Sequence, residues 1–465
     1  MALGEMDSGS SLPNQEGRRP VSRRDVVRGA AALTGFLGMF GAGGCAGGQA
    51  GESVPAVGAK EVTLRWTTWG NQSSPMVEAS TKGAALFTQK FPKIKVVNEP
   101  DPGAEKLFAE IVAGTAADVM GQCCATLPTW AQKGVLVDLE KYIKRDWKAS
   151  QIKDFHDLQY NYFLSKDAGR FAVPMYMGTS ALYYNKTAFQ RKGVAFPDET
   201  WDWNKWRDAM TRLTSVRDEQ WGSYLRLSRG SRQFIINSNG GNIVDPKDNT
   251  KAAFDQKAAL DAFQWIRDRM WQDNVAINRP QEQGSNAVML ARGRVAMMIE
   301  GSFVLTTVMR ETAADATDWD VALLPKGPVE RRNRATVDGW VMWKEAKNKE
   351  EAWALLTFLQ TDEWWDINMP LTAQQPTRIS LQGKYVEVLK RANPALANKN
   401  LSVFGHAVIN KYSAPQENFR QDDDAAKIYE KAWTDAVIDN KAPVVDTFKQ
   451  AAQEINTLLK QLATK

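Results

Sequence analysis

The segment Val62-Thr63-Leu64-Arg65-Trp66-Thr67 alternates apolar and polar side chains as a half-buried strand requires. The chain beyond it keeps a regular beat. A helical stretch covers about residues 75–90 and stops before Phe91-Pro92, and Ile94-Lys95-Val96-Val97 reads as a second strand. Leu107, Phe108, Ile111 and Val112 then recur at helical spacing, and Ala117-Asp118-Val119-Met120 reads as a short third strand. Strand–helix–strand–helix alternation predicts an α/β fold with a mostly parallel sheet and right-handed crossovers. Further on, Phe171-Ala172-Val173-Pro174 and Ala181-Leu182-Tyr183-Tyr184 read as extended segments. Thr200 is the expected cap of a helix opening at Trp201. Later helices are expected over about 255–273, 348–360, 424–438 and 443–462, the last with Val445, Phe448, Ala452, Ile455 and Leu459 on one face.

The amino-terminal region has a different character. Ser22-Arg23-Arg24-Asp25-Val26-Val27-Arg28 precedes an uncharged run from Gly29 to Gly44, and Cys45 comes next. Paired arginines ahead of a short apolar stretch form the layout of a twin-arginine export signal. The run is too short for a comfortable membrane span, which needs roughly 20 apolar residues. Ala42-Gly43-Gly44-Cys45 resembles a bacterial lipobox, although Ala42 stands where Leu is usual. Residues 1–44 are therefore expected to be a signal peptide and Cys45 a lipidation site. Residues 45–60, made of Gly, Ala, Ser, Pro and Val with little periodicity, would be a flexible tether. The rest of the chain would then work outside the cytoplasmic membrane, in the periplasm or at the cell surface.

At 465 residues the chain exceeds the roughly 250–300 at which single cores stop growing, so two lobes are expected. The net charge of +5 comes from no dominant basic tract. The densest cluster, Arg331-Arg332-Asn333-Arg334, reads as a solvated loop, and a nucleic-acid partner is not expected. Three cysteines make no disulfide framework. With Cys45 as an anchor, the adjacent pair Cys123-Cys124 is either a vicinal disulfide, which export would favour, or two small buried thiols. The two histidines, His156 and His406, have no metal-ligand spacing. No nucleophile elbow, P-loop or dinucleotide fingerprint is present, so neither a metal nor a cofactor is expected and nothing positively supports catalysis. Paired carboxylates across a cleft would not show in sequence spacing. Asp422-Asp423-Asp424 complements the dipole of the helix it precedes, and Asp245-Pro246-Lys247-Asp248-Asn249 reads as a turn.

Several further stretches, in order, carry a family likeness. They are Leu64-Arg65-Trp66-Thr67-Thr68-Trp69-Gly70, Ala117-Asp118-Val119-Met120, Val173-Pro174-Met175-Tyr176, Leu182-Tyr183-Tyr184-Asn185-Lys186 and Thr200-Trp201-Asp202-Trp203. The most specific is Gly293-Arg294-Val295-Ala296-Met297-Met298-Ile299-Glu300-Gly301-Ser302-Phe303. Leu323-Leu324-Pro325, Asp338-Gly339-Trp340 and Thr357-Phe358-Leu359 complete the series. Together they resemble the extracellular solute-binding proteins of carbohydrate-importing ABC transporters, the group containing maltose-binding proteins. The resemblance implies a type II periplasmic-binding-protein-like fold, with two hinge-connected lobes built on central, mostly parallel sheets. By that analogy lobe one holds 60–174 plus 326–374, and lobe two holds 175–325 plus 375–465. The chain would cross near Val173–Tyr176, Leu324–Gly327 and Pro370–Pro376. Ligands of such sheets sit beyond the carboxyl ends of the strands.

Sugar recognition needs aromatic rings for the C–H faces of a pyranose and planar polar groups for its hydroxyls. All 17 tryptophans come after the signal-like segment, and most are expected in cores. The resemblance places Trp69 and Asn71 in the first ligand loop, Trp69 stacking on the sugar or serving the core and Asn71 hydrogen-bonding. It makes Asp118 a hydroxyl acceptor or a helix cap, with Gln122 in the loop beyond. Tyr176 follows the hinge proline, and Phe303 stands where many relatives carry Trp. Trp340 is a second stacking aromatic, Arg378 reaches the cleft or makes a surface salt bridge, and Phe419 matches a late cleft aromatic. The expected function is that of a non-enzymatic, monomeric, lipid-anchored binding protein that hands a sugar to ABC permease subunits. The many aromatics favour an oligosaccharide as that sugar. An extracytoplasmic polysaccharide-active enzyme and a ligand-binding accessory of a membrane sensor are the alternatives.

Overall fold

The computed structural model describes residues 57, 60–69, 74–225, 227–314, 317–420 and 422–463. The signal-like segment, Cys45, nearly all of the tether and Asn71 lie outside them. The first sheet starts as the alternation at its head requires. Strand β1 (Val62–Thr68) buries Leu64 and Trp66 completely. Helix α1 (Pro75–Lys90) opens with Pro75 at its first turn, and the Ser74 hydroxyl accepts from the Val77 N–H at 3.2 Å. Strand β2 (Ile94–Pro100) lies parallel to β1, helix α2 (Ala104–Ala113) ends on the left-handed Gly114, and β3 (Val119–Gln122) pairs parallel on the other side of β1.

The chain then crosses through β4 (Val173–Tyr176) to a second sheet, in which β5 (Ser180–Asn185) lies between β6 (Met297–Gly301) and β7 (Trp319–Ala322). Strand β8 (Asp338–Met342) returns to the first sheet, whose order is β2-β1-β3-β8-β4 with β8 antiparallel to both neighbours. The expectation of a mostly parallel sheet holds for the β2-β1-β3 part of the first sheet. In the second, both strands beside β5 run antiparallel to it.

Three segments run side by side between the sheets. Met177 bridges to Gln375 and Thr179 to Ala335, and the buried Gln159 amide donates to the carbonyls of both Tyr176 (2.6 Å) and Thr336 (3.2 Å). The family likeness puts the middle crossing near Leu324–Gly327. At that stretch Lys326 bridges to Asp202 and its carbonyl accepts from the Trp203 N–H. Asp202, not Thr200, caps helix α3 (Trp203–Leu213), accepting from the Lys205 N–H at 2.9 Å. Thr200 is turned back onto Asp198.

Two hydrophobic clusters form the core. One centres on Trp66, whose ring meets Trp340 edge-on at 5.4 Å and Trp364 at 5.7 Å. It also takes in Leu381, Tyr385 and Phe404, so residues after 375 are shared between the clusters. The other centres on Phe263, stacked on Phe448 at 3.8 Å, with Tyr429 and Trp433 beside them. Gly121 has no room for a side chain, since a Cβ there would lie 2.5 Å from the Trp340 ring. Gly121→Ala is expected to destabilise the chain by about 1–3 kcal/mol, the usual cost of overpacking. Chemical denaturation would read this, and an unchanged midpoint would refute the tight fit.

Candidate functional site

The parallel strands of the first sheet bring their carboxyl ends to one side, and β8, running antiparallel, begins there. A cavity of about 470 Å³ opens at this edge. Trp69, one residue beyond β1, forms part of its wall, with its indole N–H donating to the Gly121 carbonyl at 2.9 Å. Tyr176 ends β4 and lies opposite Asp338 in register, where β8 slips by a bulge between Asp338 and Gly339. From the second sheet come Glu300, at the end of β6, and Phe303 just after it. Gly301 permits this arrangement, because a Cβ there would overlap the Phe303 ring. Arg334 completes the set, its guanidinium 5.8 Å from the Phe303 ring centroid.

The polar groups differ in how they are satisfied. Glu300 accepts from the Asn286 amide at 2.7 Å and the Gly301 N–H at 3.3 Å, and burial still pushes its carboxyl above the usual range. The Tyr176 hydroxyl donates to the Asp338 carboxylate, yet Asp338 Oδ1 is buried without a partner among the described residues. Burial raises the Asp338 carboxyl to about 6, against the opposing pull of the Tyr176 bond and the Arg334 charge. The cavity thus presents aromatic rings beside two carboxyl groups and one guanidinium.

Of the residues expected at the site, Trp69, Tyr176 and Phe303 line this cavity. The others that can be placed do not. Asp118 lies at the amino end of β3, accepting from the Arg65 backbone N–H at 2.9 Å. Gln122 is buried and donates to Asp101 at 3.1 Å. Trp340 is fully enclosed in the core. Arg378 is paired with Asp154 at 2.7 Å and Asp362 at 2.8 Å, which is the salt-bridge alternative. Phe419 is buried in the second cluster with the Arg229 guanidinium 5.8 Å from its ring. Cys123 and Cys124 are free thiols just beyond the end of β3.

Arg334, Glu300 and Asp338 are cavity residues that sequence reasoning does not single out. Arg334 overturns the reading of 331–334 as a solvated loop. Asn333 is buried, its amide donating to the Ser180 carbonyl at 2.7 Å, and Asn333–Arg334 pairs with Ser413–Ala414. No local signal in the sequence marks Arg334, Glu300 and Asp338 as cavity residues, because strand pairing over long separations brings them together.

Two sheets joined by adjoining crossings, with a cavity at the strand ends, define a solute-binding fold of the type II periplasmic class. The model of the family described as bacterial extracellular solute-binding protein matches residues 71–364, and the chain belongs to that family. A putative binding protein of Brucella abortus is 27% identical over 341 residues, covering 69% of this chain and 77% of the relative. An ABC substrate-binding protein of Listeria monocytogenes, solved with cycloalternan, superposes with a TM-score of 0.76 at 18% identity, covering 86% of this chain and all of that one. An ABC transporter solute-binding protein of Thermotoga lettingae, solved with α-D-tagatose, gives 0.72 at 22% identity, covering 85% and 99%. No helix among the described residues is long and apolar enough to cross a membrane.

The raised Asp338 carboxyl has a consequence for stability. It titrates near 6 when folded and near 3.8 when unfolded, so the folded state holds the proton across that window. Stability is then fully present below about 3.8 and falls as pH climbs to about 6, by about 3 kcal/mol at most. The stability of the native chain relative to Asp338→Asn should drop by that amount between about pH 4 and pH 7. Denaturant midpoints of both proteins at the two pH values would measure it, and parallel pH curves would remove the assignment.

Proposed function

We propose that this chain captures a neutral sugar or oligosaccharide in the cavity and delivers it, unaltered, to an ABC permease. One observation carries the reading: Trp69, Tyr176 and Phe303 share a cavity with Asp338, Glu300 and Arg334. Rings suit the C–H faces of a pyranose, and hydrogen-bonding groups suit its hydroxyl edge. Asp338 Oδ1, buried and unpartnered among the described residues, is an acceptor that a ligand hydroxyl would satisfy. Two carboxyl groups against one guanidinium disfavour an anionic ligand such as a phosphodiester. The sugars held by the Listeria and Thermotoga proteins support the same class of cargo.

The division into 60–174 plus 326–374 and 175–325 plus 375–465 would let the cavity close by hinge motion at the three adjoining crossings. On that division the contacts that would link the lobes include Lys133 with Asp423 at 3.4 Å and the Asn418 amide donating to the Tyr162 hydroxyl. Export through the twin-arginine-like segment and lipidation at Cys45 would hold a monomer at the membrane beside its permease.

A second reading has one specific support, since Glu300 and Asp338 place two carboxyls in one cavity, as a polysaccharide hydrolase would need. Thermal unfolding against mono- and oligosaccharides, polyols and glycerol phosphodiesters decides between them. Ligand at about 100 times its dissociation constant adds roughly 2.7 kcal/mol. One saccharide class should give a clear upward shift and be recovered intact, and Trp69→Ala should weaken it at least about tenfold through loss of stacking. Cleaved sugar would establish the hydrolase, and silence across the saccharides would end the carbohydrate reading.

A further inference from the structure

Beside the cavity, three ligand-type atoms converge, of which only the Asp338 carboxylate has a part in the proposed sugar capture. The Sγ atoms of Cys123 and Cys124 and a carboxylate oxygen of Asp338 all lie within 4.8 Å of one another. Successive side chains in an extended chain point to opposite faces, so two adjacent thiols do not ordinarily meet. Here Cys124 adopts the left-handed conformation, with φ 57°, and its Sγ lies within 4.8 Å of the Cys123 Sγ. A non-glycine residue in that region carries a conformational cost that persists only where its surroundings impose it. The third donor, Asp338, has its buried Oδ1 without a partner among the described residues.

We propose that Cys123, Cys124 and Asp338 form a binding site for one soft or borderline divalent cation of the zinc or cadmium type. Two sulfurs and one carboxylate oxygen make a donor set suited to such an ion and unsuited to calcium or magnesium. Tetrahedral zinc with bonds of about 2.3 Å to sulfur needs the two sulfurs about 3.8 Å apart, a separation compatible with the observed cluster. Charge also balances. Two thiolates and a carboxylate around a divalent ion carry one net negative charge, and the Arg334 guanidinium, 3.8 Å from Cys124 Sγ, offsets it. Asp338 and Arg334 line the cavity, so the fourth position would be filled from that side by water or a ligand hydroxyl.

The ion enters by replacing protons: the two S–H bonds break, two metal–sulfur bonds form, and two protons leave to solvent, with no change in oxidation state. Both thiols must lose their protons before they can bind the ion. Uptake therefore competes with protons, and the apparent affinity should rise by up to about a hundredfold per unit of pH. Sugar binding is not needed for any of this.

The test is titration of the reduced full chain with cadmium or zinc under anaerobic conditions. The readouts are the cadmium–thiolate charge-transfer absorption, proton release and loss of thiol reactivity. One equivalent should bind, releasing two protons and protecting both thiols from a thiol reagent. Cys123→Ser and Cys124→Ser should each lower the affinity at least about a hundredfold, and Asp338→Asn about ten- to a hundredfold. Unchanged thermal unfolding of the metal-free serine variants would show that they are folded. Failure to bind a stoichiometric ion, or binding that survives both serine substitutions, overturns the proposal. So does a native mass two units light with neither Cys123 nor Cys124 open to a thiol reagent, which would make the pair a disulfide instead.

Discussion

Edge-on packing of Trp66 against Trp340 and Trp364 is the contact on which the ligand side of this molecule depends. It ties β1, near the start of the described chain, to β8 and the helix Asp362–Thr372 much further along. None of the three indole N–H groups has an acceptor among the described residues, so ring packing and burial hold the cluster together. Aromatic pairs of this kind add about 0.5–1.5 kcal/mol each beyond the area they bury. Two glycines admit the rings: Gly121 faces Trp340, and a Cβ at Gly83 would lie 2.7 Å from Trp364. Position follows from this contact. Trp66 fixes the strand from which Trp69 emerges, and Trp340 fixes the strand that begins with Asp338.

The same geometry explains how much could be read from the chain. The order β1-α1-β2-α2-β3 was legible because each element carries its own period, and the closing helix was legible as a single apolar face. Site residues were less so, and small offsets account for much of the difference. Placing the third strand at 117–120 puts Asp118 inside it. The strand in fact runs Val119–Gln122, so Asp118 stands at the opposite end from the cavity. Asp338 and Trp340 are two residues apart on one strand, and sequence does not say how far along that strand the cavity begins. Three basic residues within four positions suggest solvent, but pairing of 333–334 with 413–414 is a long-range event that local charge density cannot report.

Tryptophan content pointed to sugar chemistry but not to which tryptophan would serve it. Six of the largest fully buried side chains are tryptophans, and Trp340 is among them. Trp69 differs because it lies past the end of its strand, where the sheet no longer covers it. A strand end supplies exposure and rigid support together, which is what a stacking surface needs.

Three features that oppose folding meet beside the cavity, although each kind also occurs elsewhere in the described chain. Cys124 is left-handed, β8 slips register at Asp338, and Asp338 keeps a buried oxygen unpartnered beside the Arg334 guanidinium. The left-handed residue and the unpartnered oxygen each cost on the order of 1–3 kcal/mol. Both lie a few residues from the tryptophan cluster along their strands: Gly121, packed on Trp340, precedes Cys124 by three residues, and Asp338 precedes Trp340 by two. A loosely packed sheet would let Asp338 swing outward to water and Cys124 return to an ordinary conformation, and both the acceptor and the paired thiols would be lost. Tight packing below the strand ends is therefore what keeps an unsatisfied, chemically competent edge facing the cavity.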